Sequence, residues 1–255
     1  MTTQKQHQSQ SRRSAGNWLQ SLARLFSIIL AIMIVAMSTY WGMKFYEEWQ
    51  NKQAETERNE QLGLSHDDVT DEDKANHTVD GADKPKLLSI PAAGVQNARV
   101  QEIGLLSPSS NGSQQMDAPQ NVHDVGWYNC QINPIESKRC ANYVSPAGTN
   151  NLSKAAVMDG HSCSGDGCVF DGLVNLKSGD EINVTMGDDS VVTYVVDYVQ
   201  VVDLADLDME QAMTVYQPGK AGLNLITCDG SWSSQDSRGV RTMDRRVVVY
   251  STIKE

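Results

Sequence analysis

Basic residues are in short supply: 21 Lys and Arg stand against 32 Asp and Glu in 255 residues, leaving a formal charge of −11. With no basic stripe to neutralise phosphates, nucleic acid is excluded as the main partner. Seven prolines and 19 glycines are too few for a collagen-like or wholly low-complexity chain. No internal repeat, EF-hand spacing or Cys-x-x-Cys pair occurs. Solenoids, calcium hands and thiolate zinc ribbons therefore have no sequence support. Helical periodicity is scarce beyond the N-terminal quarter. Cysteine numbers five, an odd count, so outside the cytosol at least one thiol stays unpaired.

Charge divides the chain into zones. Residues 1–24 carry Lys5, Arg12, Arg13 and Arg24 and no acid. Leu25 to Met43 then run 19 residues without a charge, and a helix of that length spans roughly 28 Å, about one hydrocarbon core. Trp18 lies on the basic side, while Tyr40, Trp41, Phe45, Tyr46 and Trp49 crowd the other, as interfacial aromatics do. Basic residues before the span and acids after it predict a cytoplasmic N-terminus and an exported remainder. A cleaved signal peptide is the rival, with Ala36-Met37-Ser38 as its cleavage site, but the run exceeds the ~7–15 residues of a signal core. Residues 44–87 hold 12 acids and six bases with little apolar periodicity after Trp49. They read as an acidic stalk, helical from Phe45 to Leu62 and disordered from His66 to Lys86.

Residues 88–255 differ in texture. Leu88–Pro91, Ala98–Leu106, Ala155–Gly160, Glu181–Met186, Val191–Val202, Leu223–Thr227 and Arg246–Thr252 are rich in Val, Ile, Thr and Tyr and are separated by turn residues. Phe170–Leu176 and Leu204–Val215 are the helical candidates. A helical turn is expected near His123–Tyr128, inside a long polar loop. The fold class is mainly β: a closed or nearly closed barrel with short helices, preceded by one transmembrane helix.

An exported domain makes disulfides expected. Cys130 and Cys140 bracket one polar loop, and Cys163 and Cys168 bracket a glycine-containing one. Local spacing alone does not fix the pairing. Cys228 ends the apolar run Leu223–Thr227, where a nucleophile is held on rigid backbone yet opens toward a loop. A thiol there needs a base or cation. Of the five histidines, His161 alone shares that setting, at the end of the strand Ala155–Gly160. Arg245 and Arg246 open the last strand, and a guanidinium can direct several N–H donors at a developing oxyanion. A lone strand-end histidine or arginine pair is more often structural; their conjunction with Cys228 favours chemistry. His161, Cys163 and Cys168 would supply three zinc ligands, but without a second nearby histidine no metal site is expected.

Taken in order, these residues resemble the sortase family. Leu225-Ile226-Thr227-Cys228, Arg245 ahead of Val-Val-Val 17 residues later, and Gly160-His161 67 residues before the cysteine carry the resemblance. Ile90-Pro91-Ala92-Ala93-Gly94-Val95, Val125-Gly126-Trp127-Tyr128, and Gly167-Cys168-Val169-Phe170 leading to Leu176-Lys177-Ser178-Gly179-Asp180 resemble the actinobacterial type called class F or E. The resemblance covers about 88–252 and implies an eight-stranded β-barrel transpeptidase. Cys228 would attack the Thr–Gly carbonyl of an LPxTG-like sorting signal. His161 would protonate the leaving amine and then deprotonate the incoming one, from a peptidoglycan precursor or a pilin lysine. Arg245, which lies two residues before Val247, would stabilise the oxyanion, and Thr227 and Trp232 would contact substrate. No cofactor is implied, although some relatives bind calcium in the loop that here carries Asp203, Asp206, Asp208 and Glu210. That run reads first as a solvated helix face. Four additional cysteines and Asn224 depart from the family pattern, and no Asp-Pro-aromatic lid motif precedes the barrel. The alternative function is a catalytically silent, disulfide-braced surface binding domain.

Overall fold

The computed structural model describes residues 4–105, 116–129, 146, 154–163, 167–236 and 239–255, with side chains from residue 24 onward. Two compact units, Met1–Gln53 and Ala54–Glu255, divide the chain. Helix α1 runs from Gln4 to Leu62. Its apolar stretch is long enough to cross a membrane and none of it is buried. Phe26, Ile29, Ile32 and Val35 are exposed, as side chains facing lipid would be. Tyr40 and Trp41 meet edge-on and Tyr46 stacks on Trp49.

The second unit begins with the last turns of α1. Gly63 ends the helix at φ +62°. Its N–H donates to Glu60 O, and the Leu64 N–H donates to Asn59 O. This is the paired closure of a Schellman end, where glycine takes the left-handed conformation without a Cβ penalty. Helix α2, Asp71–Asn76, starts in a reciprocal capping box between Thr70 and Asp73. The expected disorder from His66 to Lys86 is not found. His77 Nε2–H donates to Val100 O at 3.0 Å, and Lys84 bridges Asp80 and Glu102, so the segment lies on the barrel.

Strands β1 (Pro85–Ile90), β2 (Val95–Ile103), β3 (Val125–Tyr128), β4 (Ala156–Gly160), β5 (Glu181–Met186), β6 (Val191–Asp203), β7 (Gly222–Asp229), β8 (Ser234–Gln235), β9 (Arg241–Thr242) and β10 (Arg245–Ile253) follow. Eight of them close a barrel in the order β1-β2-β3-β4-β7-β10-β6-β5, while β8 and β9 pair separately. The helical turn expected at His123–Tyr128 is strand β3, parallel to β2 and antiparallel to β4. Of the helical candidates, Leu173–Asn175 and Leu204–Asp206 are single 3-10 turns, and α3 (Met209–Ala212) is one α-turn.

Alternation along the strands sorts the side chains. Val125, Trp127, Ala156, Met158, Leu223, Leu225, Val247 and Val249 fill the barrel core. The opposite faces of β4, β7 and β10 carry Val157, Ile226, Val248 and Tyr250, which pack with Ala212 of α3. Asn224, a departure from the family pattern, has a structural task on that outer face. Its amide donates to Ala212 O at 2.7 Å and Thr214 O at 3.0 Å, tying the β6–β7 connection to the barrel.

Candidate active site

Three strand ends converge on the outer face that carries Ile226 and Val248. β4 and β7 run parallel with Asp159 opposite Ile226, and Thr227 Oγ1 donates to Gly160 O at 2.8 Å. One step further along this register, His161 follows β4 where Cys228 follows Thr227, and strand alternation puts both on the face of Ile226. Thr227 itself points the other way and is buried, and its hydroxyl joins β7 to β4. Gly160 is required before His161, because a Cβ there would press into Phe170 and Val169.

On the other side of Cys228 the register is direct. Arg246 pairs with Cys228, and Arg245 pairs with Asp229. Arg246 is therefore the arginine on the thiol's face. Arg245, the residue expected from the sequence, makes an ion pair with Asp229 at 2.9 Å. Arg246 Nη1 donates to Met243 O and Arg245 O at 2.9 and 2.7 Å, and Nη2 donates to Thr242 Oγ1 at 3.0 Å. The buried Thr242 hydroxyl also lies 4.0 Å from Cys228 Sγ. Sequence reasoning missed Thr242, whose place depends on the two-residue pairing of β9 with β8; no local pattern signals it.

Among the described residues Cys228 is a free thiol, while Cys163 and Cys168 form a disulfide. The Cys130–Cys140 pairing lies outside the described residues. Glu55 places a carboxylate near both disulfide sulfurs, but sulfurs joined to each other are not thiolate ligands. The disulfide loop has a second brace. Asp171 accepts from Ser162 Oγ and the Cys163 N–H through Oδ1, and from the Gly167 and Cys168 N–H groups through Oδ2.

A strap formed by residues 54–67 covers the site. Ala54, only 2% exposed, packs with Trp232, Met243 and Cys228. The Arg58 guanidinium lies 5.5 Å over the Trp232 ring, a cation–π arrangement. Leu64 rests on Val122, Cys163 and Cys168. Ser65 exchanges backbone bonds with Gln120 O at 2.8 Å and the Val122 N–H at 3.0 Å. Trp232, expected to contact substrate, is thus buried beneath the chain's own strap.

His161 is 4% exposed, and its Nε2–H donates to Pro119 O at 2.8 Å, leaving Nδ1 as the lone-pair nitrogen of the neutral ring. No hydrogen bond joins it to Cys228 among the described residues. Burial lowers its pKa to about 4, against the pull of the Pro119 carbonyl, and the Arg58 and His66 charges lower it further. Below pH 6.5 the unfolded chain takes up a proton that the folded ring refuses, so stability is lost as pH falls from about 6.5 to about 4. Over that window the loss reaches about 3 kcal/mol. Urea denaturation at pH 7.5 and 4.5 should show His161→Gln retaining more of its neutral-pH stability than the natural chain; equal losses would remove His161 as the cause. Asp159, two residues back on the same face, has an Oδ1 without water contact or hydrogen-bond partner. Burial, then the Asp117 carboxylate, raises its pKa well above the usual carboxylate range.

A histidine, a free cysteine and an arginine thus stand at adjoining strand ends of a closed barrel. Residues 88–254 match the family model of the sortase domain. The chain belongs to the sortase family, whose members are typically cysteine transpeptidases. Solved structures similar to it include sortase C-1 from Actinomyces oris, at 20% identity over 66% of this chain and 72% of that one, with a TM-score of 0.42. Another is the pilus-related sortase C of Group B Streptococcus, at 18% identity over 82% and 90%, with a TM-score of 0.43. A comparison with curated protein sequences finds no match.

Proposed function

We propose that this chain is a single-pass, membrane-anchored transpeptidase that cleaves an LPxTG-like sorting signal at Thr–Gly and transfers the acyl group to a cell-wall or pilin amine. The observation that carries the reading is the shared face of His161, Cys228 and Arg246, set by the β4–β7 and β7–β10 registers. Cys228 Sγ attacks the scissile carbonyl, and the thioacyl bond forms as the Thr–Gly C–N bond breaks. His161, neutral in the free enzyme, takes the Cys228 thiol proton at Nδ1 as the sulfur attacks and gives it to the leaving amine. It then takes a proton from the incoming amine, which displaces the sulfur, and returns it to Cys228. Arg246 directs guanidinium N–H groups at the oxyanion of both tetrahedral intermediates. This assigns to Arg246 the role that the motif alone gave to Arg245. The basic residues before Leu25 and the acids after Met43 support a cytoplasmic N-terminus and a barrel on the outer surface.

Fluorogenic Leu/Ala-Pro/Ala-x-Thr-Gly peptides test the reading on the full chain in detergent micelles, with and without an amine acceptor and calcium. The expected result is cleavage with a thioacyl adduct on Cys228 by mass spectrometry, and complete loss of both in Cys228→Ala. No adduct and no cleavage across the panel would replace the enzyme with a silent binding barrel.

A further inference from the structure

We propose that Thr242 is a positioning residue, its hydroxyl holding the Arg246 guanidinium against the Cys228 sulfur for acyl transfer. The inference rests on the transpeptidase reading above and adds to it a residue that none of the motifs contains. All of Arg246's described acceptors come from residues 242–245, the short segment that links the β8–β9 pair to β10. Two are backbone carbonyls, at Met243 and Arg245, and they fix Nη1. The third is the Thr242 hydroxyl, which fixes Nη2 and is the acceptor that also stands beside Cys228 Sγ.

The hydroxyl's valence fits this place. A threonine oxygen that accepts from a guanidinium still has one O–H to donate. Cys228 Sγ lies 4.0 Å from the same oxygen, too far for a strong hydrogen bond, so the hydroxyl reaches the sulfur's chemistry by way of the arginine. Guanidinium and hydroxyl thus form one unit beside the sulfur, in which the hydroxyl orients the arginine. Thr242 is 4% exposed, so water does not compete for its bond to the guanidinium. β9 pairs Thr242 with Ser234, so backbone pairing sets the hydroxyl's position. A valine at 242 would fill the same volume and remove that bond.

The test compares Thr242→Val, Thr242→Ser, Arg246→Ala and the Thr242→Val/Arg246→Ala double variant, each as the full chain in detergent. Steady-state peptide cleavage and single-turnover acylation of Cys228 are the readouts. T242V is expected to lower kcat by about 10–100-fold with KM changed less than about threefold, the pattern of an interaction realised in the transition state. T242S should restore most of the rate. The double variant should be no slower than R246A within about threefold, because a hydroxyl that acts through Arg246 has nothing left to position. Losses that multiply, a loss confined to KM, T242S as slow as T242V, or a T242V rate within about twofold of the natural chain would each overturn the proposal. A natural chain that never acylates Cys228 would instead overturn the transpeptidase reading.

Discussion

Arg246→Ala is expected to lower kcat/KM for peptide cleavage by about 10²–10³-fold, the usual cost of losing one oxyanion donor group. Arg245→Ala should stay within about fivefold, because an exposed ion pair contributes at most about 1 kcal/mol. The two side chains are adjacent in sequence and opposite in direction. In the β7–β10 ladder Arg246 stands across from Cys228, and Arg245 across from Asp229. The Arg245 guanidinium is turned to the Asp229 carboxylate at 2.9 Å, with its side chain about half exposed. The Arg246 guanidinium is held by Met243 O, Arg245 O and Thr242 Oγ1, so it needs little reorganisation when charge develops at the carbonyl oxygen. Arg246→Lys should recover only part of the rate, since a single ammonium does not reproduce a fork held at both nitrogens. Acylation of Cys228 followed by mass spectrometry separates these outcomes. A large loss in R245A with R246A near the natural rate would return the oxyanion role to Arg245.

That ambiguity shows where reading the sequence stops. Cys228 and His161 were singled out as candidates because each lies at the end of a strand whose apolar composition marks it unaided. The arginine was not, since both candidates precede the same Val-Val-Val run and a one-residue change of register turns every side chain to the other face. Only pairing with β7 shows which of them stands across from Cys228. Strand β5 was legible to the residue, Glu181–Met186, whereas β3 was misread. Its four residues are too few for periodicity, and Gly126 weakens any strand signal. Tertiary packing accounts for that glycine: a Cβ on it would meet the Asp159 carboxylate and Ile103. Trp232 and Thr227 were expected at a substrate surface because they neighbour Cys228 in sequence. In space one is covered by α1 and the other faces away. Within the stalk, the disorder expected from His66 to Lys86 was misread because the composition is that of a solvated segment. Its few apolar contacts, Ala54 and Leu64, find their partners more than fifty residues away.

Unseating those contacts should expose the thiol. The double variant Ala54→Glu/Leu64→Asp is expected to raise the alkylation rate of Cys228 by about tenfold or more, since losing about 1–2 kcal/mol of apolar docking shifts the closed state by that factor. Ala54 is the residue to charge because it packs at the cluster of Trp232, Met243 and Cys228, and Leu64 because it seats the strap's far end on the disulfide. Gly63 links the two through a fixed helix end, so loss of one seat alone leaves the other to hold the strap. Peptide KM should fall in the same variant, because a substrate that must first displace the strap binds with its affinity reduced by the open fraction. The chemistry of His161 gives an independent reading. With the strap lifted, the ring regains water and loses the nearby Arg58 and His66 charges that help lower its pKa. It should then protonate closer to its ordinary range, and the difference in stability between pH 7.5 and 4.5 should shrink in the strap variant as it does in His161→Gln. Alkylation located by mass spectrometry checks the first effect and urea denaturation the second. A Cys228 labelling rate equal to that of the natural chain would mean that the strap does not limit access to the thiol.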